Sequence, residues 1–141
     1  MLFRSDIMLK REELVKKAFE GMANAYAPYS KYHVGAAVEL KDGTVFIGAN
    51  VENASYGATN CAERSAVFAA YSNGYRKDDI VALSIVSDGD RLCGPCGICR
   101  QVLSELIGND VPIYLSNGTE NKDTNMGELL PMQFTEEDVI R

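Results

Sequence analysis

Two short segments, Cys61-Ala62-Glu63-Arg64 and Pro95-Cys96-Gly97-Ile98-Cys99-Arg100, decide how this chain must fold. Cys96 and Cys99 are three positions apart, so their sulfurs fall on one face of a helical turn. Helix-forming residues with apolar spacing follow each segment, which predicts that each cysteine cluster opens a helix. Unpaired N–H groups and the macrodipole at such helix starts favour thiolates.

The three cysteines suit a zinc ion with one coordination position left open. Zinc takes four ligands, and a catalytic zinc site keeps one position for water. We therefore predict one zinc ion per chain, held by Cys61, Cys96 and Cys99. Glu63 is the predicted general acid/base beside the metal-bound water. Arg64 is the predicted cation that offsets the excess charge of three thiolates.

The order of these residues resembles the signature of the zinc-dependent deaminases. That signature is a ligand, one residue, a glutamate, and later Pro-Cys-x-x-Cys, with three cysteines as an allowed ligand set. In such chemistry the glutamate takes a proton from water and passes it to the ring nitrogen of the base. The alternative is a closed site of four cysteines, including Cys93, that holds loops together without chemistry.

Size and charge narrow the class of protein. The 141 residues are 46% hydrophobic and 24% charged, which predicts one globular domain over residues 1–141. A net charge of −6 and the lack of a basic run argue against a nucleic-acid partner. With no signal peptide and no apolar run of about 20 residues, we expect a cytoplasmic protein with reduced cysteines and no membrane contact. We take Met8 as the natural start and residues 1–7 as a tag or a disordered segment.

The periodicity of apolar residues predicts an α/β domain. The predicted elements are a helix over residues 9–25, strands over 32–40 and 44–50, a helix over 61–73, a strand over 80–87, a helix over 95–107 and a strand over 111–116. We predict a polar turn over residues 117–123, and a short helical turn over 128–131 before a tail without a clear signal. The strand-helix-strand order implies a parallel pair of strands. The expected architecture is a three-layer α/β/α sandwich whose mixed sheet contains an N-terminal antiparallel hairpin and parallel strands joined by helices.

Further motifs give the chain its resemblance to a family. They are Tyr29-Ser30-Lys31-Tyr32, Val34-Gly35-Ala36-Ala37, Asn50-Val51-Glu52-Asn53-Ala54 and Glu128-Leu129-Leu130-Pro131. Together with the two cysteine segments they resemble the small homotetrameric cytidine deaminases, from about residue 9 to the tail. The resemblance implies a cytidine deaminase-like fold and zinc-dependent hydrolysis of cytidine and deoxycytidine to uridine and deoxyuridine plus ammonia, in pyrimidine salvage.

The same resemblance implies roles for the substrate-binding residues. Asn50 and Glu52 match the positions that bind the ribose, and residues i and i+2 of an extended segment point the same way. Tyr32, Ala54 and Ala62 are expected to line the base pocket. Tyr32 stands where the family often has phenylalanine, so it adds a hydroxyl group there.

Two more residues take their roles from the family. Arg64 matches a position whose guanidinium bonds the ligand thiolates, in agreement with the charge argument. Phe134 matches an aromatic residue that reaches into the active site of a neighbouring subunit of the homotetramer. Cys93 has no role in the family pattern. His33, the only histidine, is expected at the surface.

Other interpretations stay open at this point. Asn50 and Glu52 could form a solvated strand end, and Phe134 could be a core residue. A polynucleotide-editing deaminase would share the zinc chemistry, although the negative charge argues against it. A blasticidin-type antibiotic deaminase has the same metal motif and size.

Overall fold

The chain alternates between strands and helices in the computed structural model, which describes residues 9–139. In chain order its main elements are α1 (Arg11–Met22), β1 (Val34–Leu40), β2 (Val45–Ala49), α2 (Ala62–Ser72), β3 (Ile80–Ser87), α3 (Gly97–Leu106), β4 (Ile113–Ser116), β5 (Asn121–Thr124) and α4 (Met126–Leu129). Single 3₁₀ turns cover Tyr56–Ala58, Lys77–Asp79 and Glu136–Asp138. Our expectation for residues 1–7 lies outside the described part of the chain.

The five strands form one mixed sheet in the order β2-β1-β3-β4-β5. β1 pairs antiparallel with both β2 and β3, and β4 pairs antiparallel with β5. β3 and β4 are parallel and are connected through α3. The predicted hairpin and the predicted parallel pair are therefore confirmed.

Helices cover both faces of the sheet. On one face, α1 buries Leu14 and Ala18 against Ala37, Ala82 and Val86 of the sheet. On the opposite face, α2 and α3 pack on the larger core cluster, whose members include Ala36, Val38, Ala66, Val67, Leu83, Ile85 and Leu103. Because Ala36 and Ala37 are neighbours on β1, their side chains point to opposite faces. The three-layer arrangement is confirmed.

Two glycines in the sheet allow the helices to come unusually close. A Cβ added at Gly35 would lie 2.1 Å from the carbonyl oxygen of Ala18 on α1. A Cβ at Gly48 would lie 2.6 Å from the carbonyl oxygen of Ala62 and 2.6 Å from the amide nitrogen of Ala66, both on α2. Helix backbone thus packs directly on strand backbone at both sites.

The structure differs from the prediction at several element boundaries, and the helical turn predicted over residues 128–131 lies at Met126–Leu129 instead. The first helix ends at Met22 rather than at residue 25, and residues 23 and 24 form a turn. The predicted polar turn over residues 117–123 is wrong at its end, because residues 121–124 form the edge strand β5. Only Thr124 of this strand is buried, so the segment lacks the apolar alternation from which a strand is predicted. Within residues 9–139, every helix is too short or too polar to cross a bilayer.

Candidate active site

The three predicted metal ligands converge at the starts of two helices. Cys61 is the N-cap of α2, Cys96 is the N-cap of α3, and Cys99 lies in the first turn of α3. Their three sulfurs all lie within 4.8 Å of one another. Both helix macrodipoles present their positive ends to this cluster, which stabilises thiolates.

Arg64 contributes a positive charge to the cysteine cluster. Its Nη2 donates to Sγ of Cys61 at 3.5 Å and to the carbonyl oxygen of Thr59 at 3.4 Å. The pKa of Cys61 is lowered to about 5, first by a hydrogen bond from Cys99 and then by Arg64. The same Cys61–Cys99 bond, together with burial, raises the pKa of Cys99.

Glu63 is a buried carboxyl group next to the cysteines. Only 3% of the residue is exposed, and it belongs to the first turn of α2. Burial raises the pKa of Glu63, against an opposing hydrogen bond from Cys99. A carboxyl group whose pKa is raised from its ordinary value holds and returns a proton more readily near neutral pH.

A cavity of about 220 Å³ lies in front of these residues. Seven of the predicted site residues line it, namely Tyr32, Asn50, Glu52, Cys61, Ala62, Glu63 and Cys96. Cys99 lies behind them and is buried. The structure therefore brings the predicted acid/base, two of the predicted ligands and the predicted sugar-binding pair to one cavity.

Asn50 and Glu52 are fixed by the protein itself. Oδ1 of Asn50 accepts a hydrogen bond from the amide of Val34 at 2.9 Å, and its Nδ2 donates to the carbonyl oxygen of Tyr32 at 2.8 Å. Oε1 of Glu52 accepts from the amides of Tyr29 and Ser30 at 3.0 and 3.1 Å, and Oε2 accepts from the Ser30 hydroxyl. These contacts replace the solvated strand end that we had kept as an alternative.

The bonds leave a definite set of free positions on the two side chains. Each carboxylate or amide oxygen accepts about two hydrogen bonds, and an amide nitrogen donates two. Asn50 therefore keeps one N–H donor and one acceptor position, and Glu52 keeps one acceptor position on Oε2. The Ser30 hydroxyl lowers the pKa of Glu52 most strongly, so this carboxylate stays ionised near neutral pH.

Tyr32 and Cys93 lie together in the wall of the cavity. Burial and, secondly, hydrogen bonding to Cys93 raise the pKa of Tyr32 to about 12. The Cys93 thiol also donates to the carbonyl oxygen of Gly94 at 3.2 Å. Among residues 9–139, the cysteine cluster contains Cys61, Cys96 and Cys99 but not Cys93, so the closed four-cysteine site is not formed.

Three residues singled out in the sequence lie outside this cavity. Ala54 is exposed beyond Glu52, and its predicted contact with the base stays a prediction. Phe134 is 58% exposed, and its carbonyl oxygen accepts a hydrogen bond from Nε2 of Gln101 at 2.9 Å. His33 is at the surface, as expected, with its Nδ1 2.6 Å from Oδ2 of Asp88.

The rest of the cavity lining was not predicted. Val34 and Ile85 supply apolar surface, and Ser30, Tyr56, Thr59, Cys93 and Gly94 come from loops and turns. The alternating apolar pattern of β1 and β3 marks Val34 and Ile85 as sheet residues, but not as residues facing a cavity. Except for Ser30, which belongs to the Tyr29-Ser30-Lys31-Tyr32 motif, the loop residues give no sign in the sequence that they line a cavity, because only the packing of distant segments brings them here.

The chemistry of the donor set fits zinc. Three cysteine sulfurs sit at two helix N-termini with an arginine beside them, and soft thiolate ligands in a compact group select zinc over harder divalent ions. The cavity reaches Cys61 and Cys96 from one side, which leaves room for a fourth ligand from solvent.

Comparison with known proteins gives a consistent result. Residues 8–115 match the family model described as the cytidine and deoxycytidylate deaminase zinc-binding region. A cytidine deaminase of Halalkalibacterium halodurans is 50% identical over 132 residues, which cover 93% of this chain and 98% of that protein. A blasticidin-S deaminase of Bacillus cereus is 34% identical over 129 residues, covering 87% of this chain and 91% of that protein.

Solved structures agree with the sequence relatives. The crystal structure of a cytidine deaminase from Burkholderia pseudomallei superposes with a TM-score of 0.86 at 42% identity. The match covers 89% of this chain and all of that one. With the cysteine cluster, the buried glutamate and these matches taken together, the chain belongs to the family of cytidine and deoxycytidylate deaminases.

Proposed function

We propose that this protein is a zinc-dependent cytidine deaminase that hydrolyses cytidine and deoxycytidine to uridine and deoxyuridine with release of ammonia. The observation that carries the proposal is the placement of the buried Glu63 carboxyl group in a cavity that also holds two cysteine ligands and the Asn50–Glu52 pair. The proposed acid/base group, two residues that would hold the metal and the proposed sugar-binding pair thus face one space.

The reaction follows from the groups around Glu63. Cys61, Cys96 and Cys99 would hold the zinc ion, which would supply a Lewis acid for the activation of water. Glu63 accepts a proton from the attacking water and delivers it to N3 of the pyrimidine, which makes C4 electrophilic. The water oxygen bonds to C4, the proton of the new hydroxyl group passes to the exocyclic amino group, and the bond from C4 to that amino group breaks as the C4 carbonyl forms. Glu63 helps to protonate the amino group that leaves as ammonia.

The sugar is assigned to Asn50 and Glu52. Their free positions, one donor and two acceptors, complement sugar hydroxyl groups, which both donate and accept. Because Glu52 is ionised, a hydroxyl donating to it makes a charge-assisted bond. No Lys or Arg of residues 9–139 lines this cavity, so a 5′-phosphate would lack a cationic partner there. Nucleosides are therefore the proposed substrates, rather than nucleotides or nucleic acids.

A neighbouring subunit completes the proposed assembly. We assign the protein to a homotetramer in which the exposed Phe134 side chain enters the active site of another subunit. Tyr32, Ala54 and Ala62 are the proposed base contacts. The role is pyrimidine salvage in the cytoplasm, where reduced cysteines are available for the metal.

The deciding experiment measures ammonia release from cytidine, deoxycytidine, CMP and blasticidin S with one zinc-loaded preparation. We expect turnover of both nucleosides and far less of CMP. Like charges at close range in a partly wet site cost about 1–4 kcal/mol, which corresponds to roughly 10- to 10³-fold in specificity. A preference for CMP would contradict the sugar assignment, and a preference for blasticidin S would move the protein to the antibiotic deaminases.

Glu63→Gln is the matched control for the chemistry. The amide has nearly the same shape but cannot accept and return a proton, so we expect zinc to stay at one per chain while turnover falls about 10²- to 10⁴-fold or more. Near-normal turnover of this variant would remove Glu63 from the mechanism.

A further inference from the structure

A second cavity adjoins the proposed nucleoside cavity. Its volume is about 470 Å³, and the loop between β3 and α3 forms most of its lining, through residues 89–92. Tyr32 and Cys93 line both cavities, and they are the two residues that the linings have in common. The two spaces therefore meet at Tyr32 and Cys93.

Close packing holds the tyrosine ring in this position. A Cβ added at Gly89 would lie 2.8 Å from Cε1 of Tyr32 and 3.4 Å from its hydroxyl oxygen. The edge of the ring thus rests on the backbone of the loop, at a residue where a side chain would displace it.

A set of hydrogen bonds joins the segment that carries Tyr32 to the same loop. The amide of His33 donates to Oδ1 of Asp88 at 3.0 Å, and the amide of Asp88 donates to the carbonyl oxygen of His33 at 3.1 Å. Nδ1 of His33 lies 2.6 Å from Oδ2 of Asp88. Three contacts between two residues fix the ring-bearing segment and the loop relative to each other.

We propose that Tyr32 and Cys93 are specificity-determining residues that form a partition, which confines the substrate to an unenlarged pyrimidine nucleoside. The inference rests on the proposed function, because it concerns the same cavity. Substituents on the base that reach the partition are rejected for lack of space, although a larger space lies behind it. Lack of room for one methylene group in a pocket discriminates by about 10- to 200-fold.

Tyr32→Ala tests the partition directly, because it joins the two cavities. The substrates are cytidine and a series of cytidines enlarged at C5 or at N4, from methyl to propynyl. We expect kcat/KM for cytidine to fall. The ratio of kcat/KM for an enlarged cytidine to kcat/KM for cytidine should rise at least about tenfold in either the C5 series or the N4 series. An equal loss for every substrate would overturn the proposal. Zinc content and the unfolding transition verify that the variant is folded.

Cys93 has its own matched pair of variants. Cys93→Ala shortens the partition and should raise the same ratio, by less than Tyr32→Ala does. Cys93→Ser keeps nearly the same volume and should restore the selectivity of the unchanged protein. Wild-type selectivity in Cys93→Ala would remove Cys93 from the partition.

Gly89→Ala should act in the opposite direction. The new Cβ pushes the Tyr32 ring toward the nucleoside cavity, so affinity for cytidine should fall about tenfold with no gain for enlarged substrates. In the double variant, affinity for cytidine should be no lower than in Tyr32→Ala alone, because no ring remains for the new Cβ to displace. Gly108→Ala, at the other end of α3, meets only the Val111 side chain at 3.4 Å and is the control. Equal behaviour of Gly89→Ala and Gly108→Ala would contradict the proposal.

Binding separates this inference from the proposed function. Dissociation constants of cytidine and of cytidines enlarged at C5 or at N4 can be measured by calorimetry without turnover when Glu63→Gln is combined with either form of residue 32. Failure of the unchanged protein to release ammonia from cytidine would contradict the proposed function. Loss of size selection on binding in Tyr32→Ala would still support the partition, and unchanged size selection would overturn it.

Discussion

At the scale of single residues, Arg64 stands where a helix normally disfavours a cation. It lies in the first turn of α2, where the macrodipole is positive and acidic residues are preferred. The nearby sulfur of Cys61, 3.5 Å from Nη2, offsets that unfavourable placement. Arginine suits this role because its guanidinium stays charged at all relevant pH values.

Removing the charge of Arg64 should change the pH at which protons displace zinc from the cysteine thiolates. Arg64 is one cause of the lowered pKa of Cys61, so Arg64→Ala should raise that pKa above about 5. Protons compete with the metal for thiolates, and zinc should therefore be lost at a higher pH than in the unchanged protein. Zinc per chain after equilibration at a series of pH values measures the effect.

Arg76→Ala is the matched control for the Arg64 variant. Arg76 follows the far end of α2, where it donates to the carbonyl oxygens of Tyr71 and Tyr75. We expect it to lose zinc at the same pH as the unchanged protein. Identical curves for the Arg64 and Arg76 variants would leave the helix ends and the cysteines themselves as the source of thiolate stabilisation.

Glu52 links pH to stability through the turn at residues 28–31. Its carboxylate accepts three hydrogen bonds from Tyr29 and Ser30, which lower its pKa below the ordinary value of 4.5. A depressed pKa in the folded state stabilises the fold above the unfolded-state pKa, and this stabilisation disappears as the pH falls through the folded-state pKa. The turn is thus held by a charge that acid removes.

Glu52→Gln should show that dependence as a difference between two proteins. We expect a lower free energy of unfolding for the variant at pH 7 and a shrinking difference below about pH 4.5. Urea unfolding of both proteins at each pH gives the difference, so that any zinc loss common to both cancels. Glu105→Gln, on the exposed side of α3, is the control. A difference that stays constant from pH 7 to pH 3.5 would contradict the role of the ionised carboxylate.

At the scale of elements, the position of α2 depends on the glycine beneath it. The start of this helix carries Cys61 and Glu63, and its backbone rests on Gly48 of β2. Interiors packed this densely have no space for an added methyl group where the neighbours are backbone atoms. The distance between helix and strand therefore sets where the ligand and the acid/base group stand.

Gly48→Ala should move that helix. Its Cβ would be 2.6 Å from two backbone atoms of α2, and such overpacking costs about 1–3 kcal/mol of stability. We expect this loss in urea unfolding, together with weaker zinc binding. Gly57→Ala, whose Cβ meets nothing within 4 Å, should leave the unfolding free energy nearly unchanged. Equal stability of the two variants would show that α2 can shift without loss.

The elements also show what the sequence can and cannot predict. The cysteine spacing predicted a shared site because three cysteines at two helix starts are typical of metal ligands. The three sulfurs do lie within 4.8 Å of one another. Apolar alternation predicted β3, whose residues are buried along nearly its whole length. The edge strand β5 escaped prediction because three of its four residues are exposed and polar.

The limits of prediction at the site have the same physical origin. Two of the hydrogen bonds that Glu52 accepts from the turn come from backbone amides. Backbone amides are common to nearly all residue types, so no pattern of side chains predicts these bonds. Cys93 had no assigned role, and its place beside Tyr32 depends on how the loop after β3 folds back toward β1. Contacts between distant loops are set by tertiary packing rather than by local preference.

At the scale of the whole molecule, the role that we propose for Phe134 depends on assembly. It is 58% exposed in a single chain, and its backbone is fastened to α3 through Gln101. An exposed aromatic side chain on a fixed segment suits a contact with a neighbouring subunit. The proposed tetramer would have a mass of about four times the 15.4 kDa of one chain.

Subunit mixing tests that contact. Glu63→Gln removes the proposed acid/base group of a chain, and Phe134→Ala removes the aromatic group that we propose it offers to a neighbour. We expect each variant alone to be impaired, and mixed oligomers to regain activity in sites that combine an intact Glu63 with an intact Phe134 from another chain. Coexpression of the two variants, purification of mixed oligomers and a cytidine assay measure this recovery. Activity equal to the average of the two separate variants would show that Phe134 acts within its own chain or not at all.

The pairing of β1 with β3 has a consequence for the order of folding events. This antiparallel pair closes a long loop that contains β2, Cys61 and all of α2, while Cys96 and Cys99 follow only after β3. The three sulfurs become neighbours after that long-range pairing, whose loop-closure entropy makes it slow. Capture of the metal should therefore follow sheet formation. In stopped-flow refolding, the rate of sheet formation should be independent of zinc concentration, with zinc uptake lagging behind it. A rate of sheet formation that increases with zinc concentration would mean that the ion binds before the sheet forms and nucleates folding.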